Sequence, residues 1–334
     1  MFNLGVKGWG EDIVPWQWTG IDEISPGVIA IDVPNYLTRR LTVIKTATSQ
    51  DGRMPLTHVG TFFSLIKATL SSHILPVFIF DGPPESQKRL PNPEIVHRAH
   101  NLHRDFVKEG DPYNEEISSA LWKSRALRMY FAAEHLRTLG STVGVPTITA
   151  PSEAEMLAAV MCRHNLVDTV VSNDVDALLF GSPHVTKQLQ TTNSRILRAK
   201  LSELESRMSL DLEQLRDLAV LSGCDFHKEG AKGIGPRKGA ILIQRHGGLE
   251  NVLKAKGYSP SQREEFVIAR EVFDEPNYLS VNQYNLTLNP PIASKLTRQL
   301  TPIMSTDAAE KTVQKVVKLW KSFGNHQSTL EHWL

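Results

Sequence analysis

The stretch Val28-Ile-Ala-Ile-Asp32 is apolar up to a final aspartate, and Pro76-Val-Phe-Ile-Phe-Asp81 repeats the same design further along the chain. Runs that are apolar at successive positions are typical of strands buried on both faces of a parallel sheet. Residues 59–70, between the two runs, carry apolar side chains at helical spacing. We therefore predict an α/β fold with a central, mostly parallel sheet flanked by helices, whose ligands bind at the carboxyl ends of the strands.

Acidic residues recur beside strand-like runs and tight turns over almost two hundred positions. A helix is predicted at 152–162 and a strand at 169–172, and acids lie next to both. The complete set is Asp32, Asp81, Glu153, Glu155, Asp174, Asp176 and Asp225. Carboxylates that converge without a cation repel one another, and oxygen ligands favour hard metal ions. The set predicts a site for two metal ions.

Simpler explanations exist for part of this set. Ser152 followed by Glu155 matches a capping box, which taken alone is the favoured interpretation of that pair. Glu153 and Glu155 can share a site only around a helix end, because residues two apart on a helix diverge. Asp174-Val-Asp176 can direct two carboxylates to one side of a strand or turn, but such pairs in loops are commonly solvated.

The composition of the chain limits the classes of protein to which it can belong. The chain has 334 residues, 41% of them hydrophobic, which suits one large or two modest globular domains. Its formal net charge of +1 neither indicates nor excludes a nucleic-acid partner. Cys162 and Cys224 are too few for a disulfide framework or a cysteine-rich zinc site and are predicted to be core residues. Without a membrane-length apolar run or a signal-peptide pattern, we expect a soluble intracellular protein, cytoplasmic or, in a eukaryote, nuclear.

A glycine turn follows a predicted amphipathic helix that runs from 209 to 221 and stops at Gly223. In this turn, Gly233-Ile-Gly235 lets the backbone approach an anion, and the helix that begins after it offers free N–H groups to a phosphate. Lys232, Arg237 and Lys238 surround the turn. The alternative is a tight helix-to-helix turn with solvated lysines.

Together these residues resemble the flap endonuclease branch of the XPG/Rad2 superfamily of structure-specific 5′ nucleases, in an archaeal-like form. The resemblance runs in order from about residue 28 to 255. It rests on 30–32, 77–82, Ala150-Pro-Ser-Glu-Ala-Glu155, Ser172-Asn-Asp-Val-Asp176 with its continuation to Pro183, and Leu221-Ser-Gly-Cys-Asp225-Phe followed by the glycine turn. It implies a PIN-like core in which the seven acids hold two Mg²⁺ or Mn²⁺ ions, and a helix-two-turn-helix that grips duplex DNA by its phosphates, with a potassium ion.

The resemblance also implies basic residues that contact the scissile phosphate, in a helical arch through which a single strand passes. Lys88 matches the lysine, and Arg98 is our choice for the arginine, with Arg89 and Arg104 as alternatives. The implied DNA-binding residues are Lys232, Gly233, Gly235, Arg237, Lys238 and Lys45. The alternative for the bases of the arch is a solvated surface.

The C-terminal sequence resembles the peptide by which replication enzymes dock on the sliding clamp (PCNA). Gln327, Leu330 and Trp333 have the spacing of one helical turn, and Leu334 replaces a second aromatic residue. The alternative is a chance amphipathic tail.

Two departures from the family pattern stand out. Phe2-Asn-Leu4 precedes the family-like Gly5-Val-Lys-Gly8-Trp9, and Thr38 stands where the family has a base-stacking tyrosine, so we do not expect Tyr36 to stack on a base.

The implied regions overlap along the chain. They are an N-terminal nuclease region (1–105), the arch (85–130), an intermediate nuclease region (116–258) with the helix-two-turn-helix at 209–245, a C-terminal helical region (259–324) and the clamp-binding tail (326–334). The predicted function is cleavage of 5′ flaps, with 5′→3′ exonuclease activity, by a monomer at replication and repair sites. The rivals are a junction resolvase, an excision- or mismatch-repair nuclease of the same superfamily, and a non-cleaving, clamp-associated DNA-binding protein.

Overall fold

A computed structural model describes residues 6–43, 47–82, 92–109, 115–274, 280–281 and 283–330; of 39, 43, 109 and 325–330 only the backbone is described. These residues contain seven strands: β1 (Gln17–Gly20), β2 (Gly27–Asp32), β3 (Ile74–Phe80), β4 (Thr147–Thr149), β5 (Thr169–Val171), β6 (His184–Gln190) and β7 (Arg195–Lys200). They also contain fourteen α-helices: α1 (Val33–Val43), α2 (Thr57–Ser71), α3 (Pro93–Glu109), α4 (Glu115–Lys123), α5 (Arg125–Val143), α6 (Ala154–Arg163), α7 (Asp176–Leu179), α8 (Leu201–Met208), α9 (Leu212–Ser222), α10 (Pro236–His246), α11 (Leu249–Ala255), α12 (Pro260–Glu271), α13 (Ala293–Leu300) and α14 (Thr306–Leu330).

The chain forms two compact units, neither continuous in sequence. The first unit comprises Met1–Glu23, Asp81–Arg89 and Ala150–Gln283, and the second comprises Ile24–Phe80, Leu90–Thr149 and Tyr284–Leu334. Each unit combines stretches that are distant in sequence, because the chain leaves and re-enters it. The predicted division into successive regions stays a prediction.

The second unit contains β2, β3 and β4, paired in parallel and in that order. Every residue of β3 is buried, as expected for a strand covered on both faces. Asp32 pairs with Ile79, so β2 and β3 end close together in register. Phe62 of α2 packs on Phe78 with ring centroids 5.3 Å apart, and this contact anchors the helical layer to the sheet.

The first unit contains the strand order β1-β7-β6-β5. β5 and β6 are parallel, whereas β6–β7 and β1–β7 are antiparallel. Parallel pairing therefore accounts for the predicted strands, and the α/β class with a mostly parallel sheet is confirmed. The antiparallel edge was not predicted, since β6 and β7 have mixed polar and apolar sequences and join through a short turn at 191–194.

Helix ends agree with local sequence signals. Ser124 caps α5, its side chain accepting a hydrogen bond from Leu127 N, and Gly144 ends that helix in the left-handed conformation. Asp211 and Gln214 form a capping box at the start of α9. Both cysteines are buried and free, as predicted. Across the described ranges, none of the helices combines the length and apolarity that a membrane span requires.

Candidate functional site

The turn after β5 carries two aspartates of the predicted metal site. Asp174 Oδ1 accepts hydrogen bonds from the backbone N–H groups of Val175, at 2.7 Å, and Asp176, at 3.4 Å. The Ser172 hydroxyl accepts a bond from the backbone N–H of Asp174 at 3.1 Å. Asp176 then begins α7, and both aspartates are about 5% exposed or less. The tight turn at the carboxyl end of the strand therefore fixes the direction of the Asp174 carboxylate and places Asp176 next to it.

Glu155, in the first turn of α6, joins this pair. Its Oε1 accepts hydrogen bonds from the Ser172 hydroxyl at 3.1 Å and from Ala177 N at 3.2 Å. Carboxylate oxygens of Glu155, Asp174 and Asp176 all lie within 4.8 Å of one another. Ser172 thus bonds both the carboxylate of Glu155 and the backbone of Asp174. We did not predict this role, although its position two residues before Asp174 is a familiar turn signal.

Electrostatics make this group unfavourable without a counter-charge. Burial and the nearby charge of Asp225 raise the pKa of Asp174 to about 6, although backbone N–H groups oppose the shift. A cation beside the carboxylates would reverse this effect, since opposite charge favours the ionised form. Oxygen donors at this separation suit a hard divalent cation. The group can therefore bind a divalent metal ion.

Asp81 and Glu153 meet at the start of α6. Asp81 directly follows β3, and its Oδ1 accepts a hydrogen bond from Ala154 N at 2.9 Å. Glu153 is the N-terminal capping residue of α6 and is 7% exposed. Gly82 N donates to Ser152 O at 2.7 Å, and a Cβ on Gly82 would lie 2.1 Å from Ala150 O. Only glycine permits this approach, which fixes Asp81 against the helix that carries Glu155.

The capping-box interpretation of Ser152 and Glu155 is wrong. α6 begins one residue later than that motif requires, with Glu153 at the capping position and no side-chain cap. The Ser152 hydroxyl faces Met156 Sδ at 3.9 Å, while Glu155 is held by Ser172 and Ala177. The physical reason is that the Asp81 carboxylate, which is distant in sequence, accepts the hydrogen bond from Ala154 N, the first N–H group of the helix. Ser152 therefore does not act as the cap.

The remaining two acids have different settings. Asp32, at the end of β2, is 5% exposed and accepts a hydrogen bond from Asn35 N at 3.1 Å. It belongs to the second unit, whereas the other six acids belong to the first. Asp225 lies in the turn after α9, between Cys224 and His227, whose backbones pair as an isolated bridge. Their metal-binding roles stay predictions.

A cavity of about 410 Å³ reaches Asp174 within the first unit. Its lining includes Trp9 and Trp16 from the N-terminal part of the chain, and also Asn173 and Lys187. The Lys187 ammonium lies 5.1 Å from the Trp16 ring centroid. The cavity therefore has room for a ligand of several atoms beside Asp174.

The glycine turn joins α9 to α10 as predicted. Gly233 has φ +71°, a left-handed conformation that suits glycine, and Gly235 caps α10 without a side chain. The Lys238 ammonium donates to Gly233 O at 2.9 Å, and Lys232 is exposed. Arg237 forms an ion pair with Asp12 at 3.1 Å, which the sequence did not indicate. The turn presents backbone N–H groups and two lysines on the surface.

The structure describes only some of the residues predicted to contact the phosphate or the clamp. Lys88, Arg89, Lys45, Trp333 and Leu334 lie outside the described residues, as do the side chains of Gln327 and Leu330. Arg98 is exposed on α3 in the second unit, and Arg104 of the same helix contacts Asp105 at 3.4 Å. Tyr36 is 8% exposed and donates to Thr61 O.

The fold and the acidic centre define a nuclease of the XPG class. The model of the XPG I-region matches residues 144–225, which include Glu153, Glu155, Asp174, Asp176 and Asp225. Flap endonuclease 1 of Encephalitozoon cuniculi is 30% identical over 231 residues, which cover 68% of this chain and 67% of that protein. The chain belongs to the flap endonuclease family.

Solved structures agree with this assignment. Flap endonuclease-1 from Methanococcus jannaschii superposes with a TM-score of 0.72 at 25% identity, covering 94% of this chain and 99% of that one. The catalytic core of Rad2, solved in complex with a DNA substrate, gives a TM-score of 0.66 at 20% identity over 93% of this chain and 100% of that one. At that identity the likeness to Rad2 shows the fold alone.

Proposed function

We propose that the chain is a structure-specific endonuclease that removes 5′ single-stranded flaps from branched DNA in replication and repair, and that it also degrades DNA as a 5′→3′ exonuclease. One observation carries the proposal: three buried or half-buried carboxylates, Glu155, Asp174 and Asp176, come within 4.8 Å of one another inside the XPG I-region of a flap endonuclease family member. Such a group is costly to keep unless it binds cations.

The acids would divide between two ions, Mg²⁺ or Mn²⁺. We assign one ion to Asp32, Asp81, Glu153 and Glu155, and the other to Asp174, Asp176 and Asp225. Bound divalent ions supply an activated water and stabilise charge on the leaving 3′ oxygen. The carboxylates would position the cations rather than transfer protons, in agreement with the hydrogen bonds from Ser172, Val175 and Ala177 that fix Asp174 and Glu155. Lys88 and Arg98 would offset the negative charge that develops on the phosphate.

Duplex DNA would bind at the glycine turn. The N-terminus of α10 has no side-chain cap, so its free N–H groups are available to a phosphate, with Lys232 and Lys238 beside them. We include Arg237 and Lys45 among the phosphate contacts and place a potassium ion at this turn. Because phosphate contacts carry no base information, recognition would depend on the shape of the DNA, and affinity would fall with salt.

The active-site assignment is tested with Asp174→Ala on a double-flap substrate in Mg²⁺. We expect nearly normal binding and extremely slow cleavage, and blocking the 5′ end of the flap should stop cleavage by the wild type. Ordinary cleavage by Asp174→Ala would overturn the metal assignment. A panel of flap, bubble, junction and blunt substrates separates flap cleavage from the activities of related nucleases.

The C-terminal tail would bind the sliding clamp as one helical turn with Gln327, Leu330, Trp333 and Leu334 as anchors. A pull-down of the monomeric enzyme with the cognate clamp should fail after removal of residues 327–334. Unchanged capture would overturn the clamp proposal and leave the nuclease proposal intact.

A further inference from the structure

Arg216 is a buried charge in α9, the helix that precedes the glycine turn. It is 6% exposed. A buried guanidinium is strongly unfavourable unless its donors are paired, so its partners identify the contacts that keep it there.

The partners of Arg216 come from α7, from α9 itself and from the segment that follows α12. Its Nε donates to the backbone oxygen of Leu179 at 2.7 Å. Its Nη1 donates to Glu213 at 2.7 Å and lies 3.4 Å from an oxygen of Asp274. The Arg216 side chain thus joins Glu213, on α9 itself, and Asp274, after α12, to a backbone carbonyl of α7.

That carbonyl belongs to the element that begins with a predicted metal ligand. α7 spans only Asp176–Leu179, so Leu179 is its last residue. Phe180 N donates to Asp176 O at 2.8 Å, which closes the turn between the two ends. A displacement of Leu179 would therefore move the Asp176 backbone, because a single hydrogen-bonded turn transmits it.

Aromatic packing supports the same connection. Phe180, which follows α7, lies 5.3 Å from Phe273 by ring centroids. Phe226, which follows Asp225 in the chain, also lies 5.3 Å from Phe273, in an edge-to-face arrangement. The segments carrying Asp176 and Asp225 therefore rest on one ring near the end of α12.

We propose that Arg216 is a positioning residue for the acidic centre, which holds Asp176 in place through its hydrogen bond to Leu179 O. The proposal rests on the proposed function for the role of Asp176 as a metal ligand. It implies that α9, which leads into the DNA-binding turn, and the acidic centre are joined by a directed hydrogen bond as well as by apolar packing.

Arg270 provides a matched control. It lies on α12 and pairs with Glu213, with Asp217 at 3.1 Å and with Asp274 at 2.9 Å. It shares two acids with Arg216, but its bonds join α12 to α9 and Asp274. Arg270→Met therefore removes a half-buried cation from the same ion-pair network while leaving the bond between Arg216 and Leu179 O.

The experiment measures Mn²⁺ binding by electron paramagnetic resonance, without DNA, for the wild type, Arg216→Met, Arg216→Lys and Arg270→Met. Loss of a group that orients a metal ligand typically weakens metal binding about 10–100-fold. We expect Arg216→Met to weaken Mn²⁺ binding about 10-fold. Arg270→Met should bind Mn²⁺ like the wild type despite a comparable loss of thermal stability. On a flap substrate, Arg216→Met should have a reduced kcat and an unchanged Kd for DNA.

Arg216→Lys keeps the test decisive if the methionine variant does not fold. Lysine retains the charge near Glu213 and Asp274, but a single ammonium cannot reproduce the fork that also reaches Leu179 O. We expect a folded protein with weakened Mn²⁺ binding. Wild-type Mn²⁺ affinity in a folded Arg216 variant, or an equal loss in Arg270→Met, would overturn the positioning role. Failure of the wild type to cleave flaps would refute the proposed function instead, and the comparison of Mn²⁺ affinities would remain valid.

Discussion

Acidification should destabilise the second unit through histidines buried between α2, α3 and α5. His58 and His135 are almost fully buried, and His58 Nε2 lies 2.9 Å from His135 Nδ1. Burial, with a smaller effect of His103, lowers the pKa of His58 to about 3. Burial also lowers the pKa of His135 well below its ordinary value. Phe106 and Phe131 pack edge-on against His135, so an imidazolium there would lack polar partners on those sides.

The sign and size of the effect follow from linkage. Because the folded-state pKa is lowered, the unfolded chain binds more protons below the ordinary pKa of 6.5, and stability is lost as pH falls from 6.5 towards 3. At pH 5 one such histidine lowers the free energy of unfolding by about 2 kcal/mol relative to pH 7.5. His103 adds to the loss: burial lowers its pKa to about 4, with Glu134 opposing and His100 reinforcing the shift.

The assay is urea unfolding, followed by circular dichroism at pH 7.5 and pH 5.0, of the wild type and His58→Leu. The leucine variant is less stable at both pH values because His135 loses its partner, but its loss on acidification should be smaller by about 2 kcal/mol. His97→Leu, which removes an exposed histidine of α3, is the control and should show the wild-type loss. An equal loss in the wild type and His58→Leu would refute the reasoning.

Three further perturbations test the site and its support. Gly82→Ala should lower the free energy of unfolding by about 1–3 kcal/mol, because the added Cβ would lie 2.1 Å from Ala150 O, whereas Gly60→Ala in α2, with open space around it, should be neutral or stabilising. Lys238→Ala should weaken duplex binding and reduce the slope of log affinity against log salt by about 1, whereas Lys254→Ala, whose lysine pairs with Glu250, should leave the slope unchanged. Asp174→Asn should abolish cleavage yet stabilise the metal-free protein by about 1–3 kcal/mol at pH 7.5, because the raised pKa makes the ionised carboxylate unfavourable above pH 6. A less stable metal-free Asn variant in thermal melts would contradict the conclusion that burial and the charge of Asp225 disfavour the ionised carboxylate.

The sequence predicts elements whose signal is local. β2, β3, β5 and the helices around them match within a few residues, because continuous apolar runs and helical spacing do not depend on distant partners. β1, β4, β6 and β7 were not predicted, since their pairing is defined by neighbours across the sheet rather than by their own composition. The capping box failed for the same reason. Its local pattern was present, but Asp81, more than seventy residues earlier in the chain, supplied the hydrogen-bond acceptor.

The candidate site shows a similar division. Acid types and spacing predicted Glu155, Asp174 and Asp176, but Ser172, Gly82 and Arg216 act through contacts that no spacing reveals. A serine such as Ser172 is common in turns. It matters here because its hydroxyl donates a hydrogen bond to Glu155, which lies on another element. Gly82 matters because of the single backbone oxygen of Ala150 beside it. Supporting residues of this kind are visible only after the elements have been assembled.

At Asp174, the stability of the metal-free fold and the binding of a cation place opposite demands on the carboxylate. Two backbone N–H groups stabilise its carboxylate, yet burial and Asp225 outweigh them, so the net effect on the pKa is upward. A fold selected for stability alone would replace one of these acids by a neutral side chain. The repulsion has a use only if a cation relieves it, and a cation that relieves it binds more tightly for that reason. Those hydrogen bonds therefore serve mainly to fix the direction of the carboxylate, and its charge is left for the metal ion to compensate.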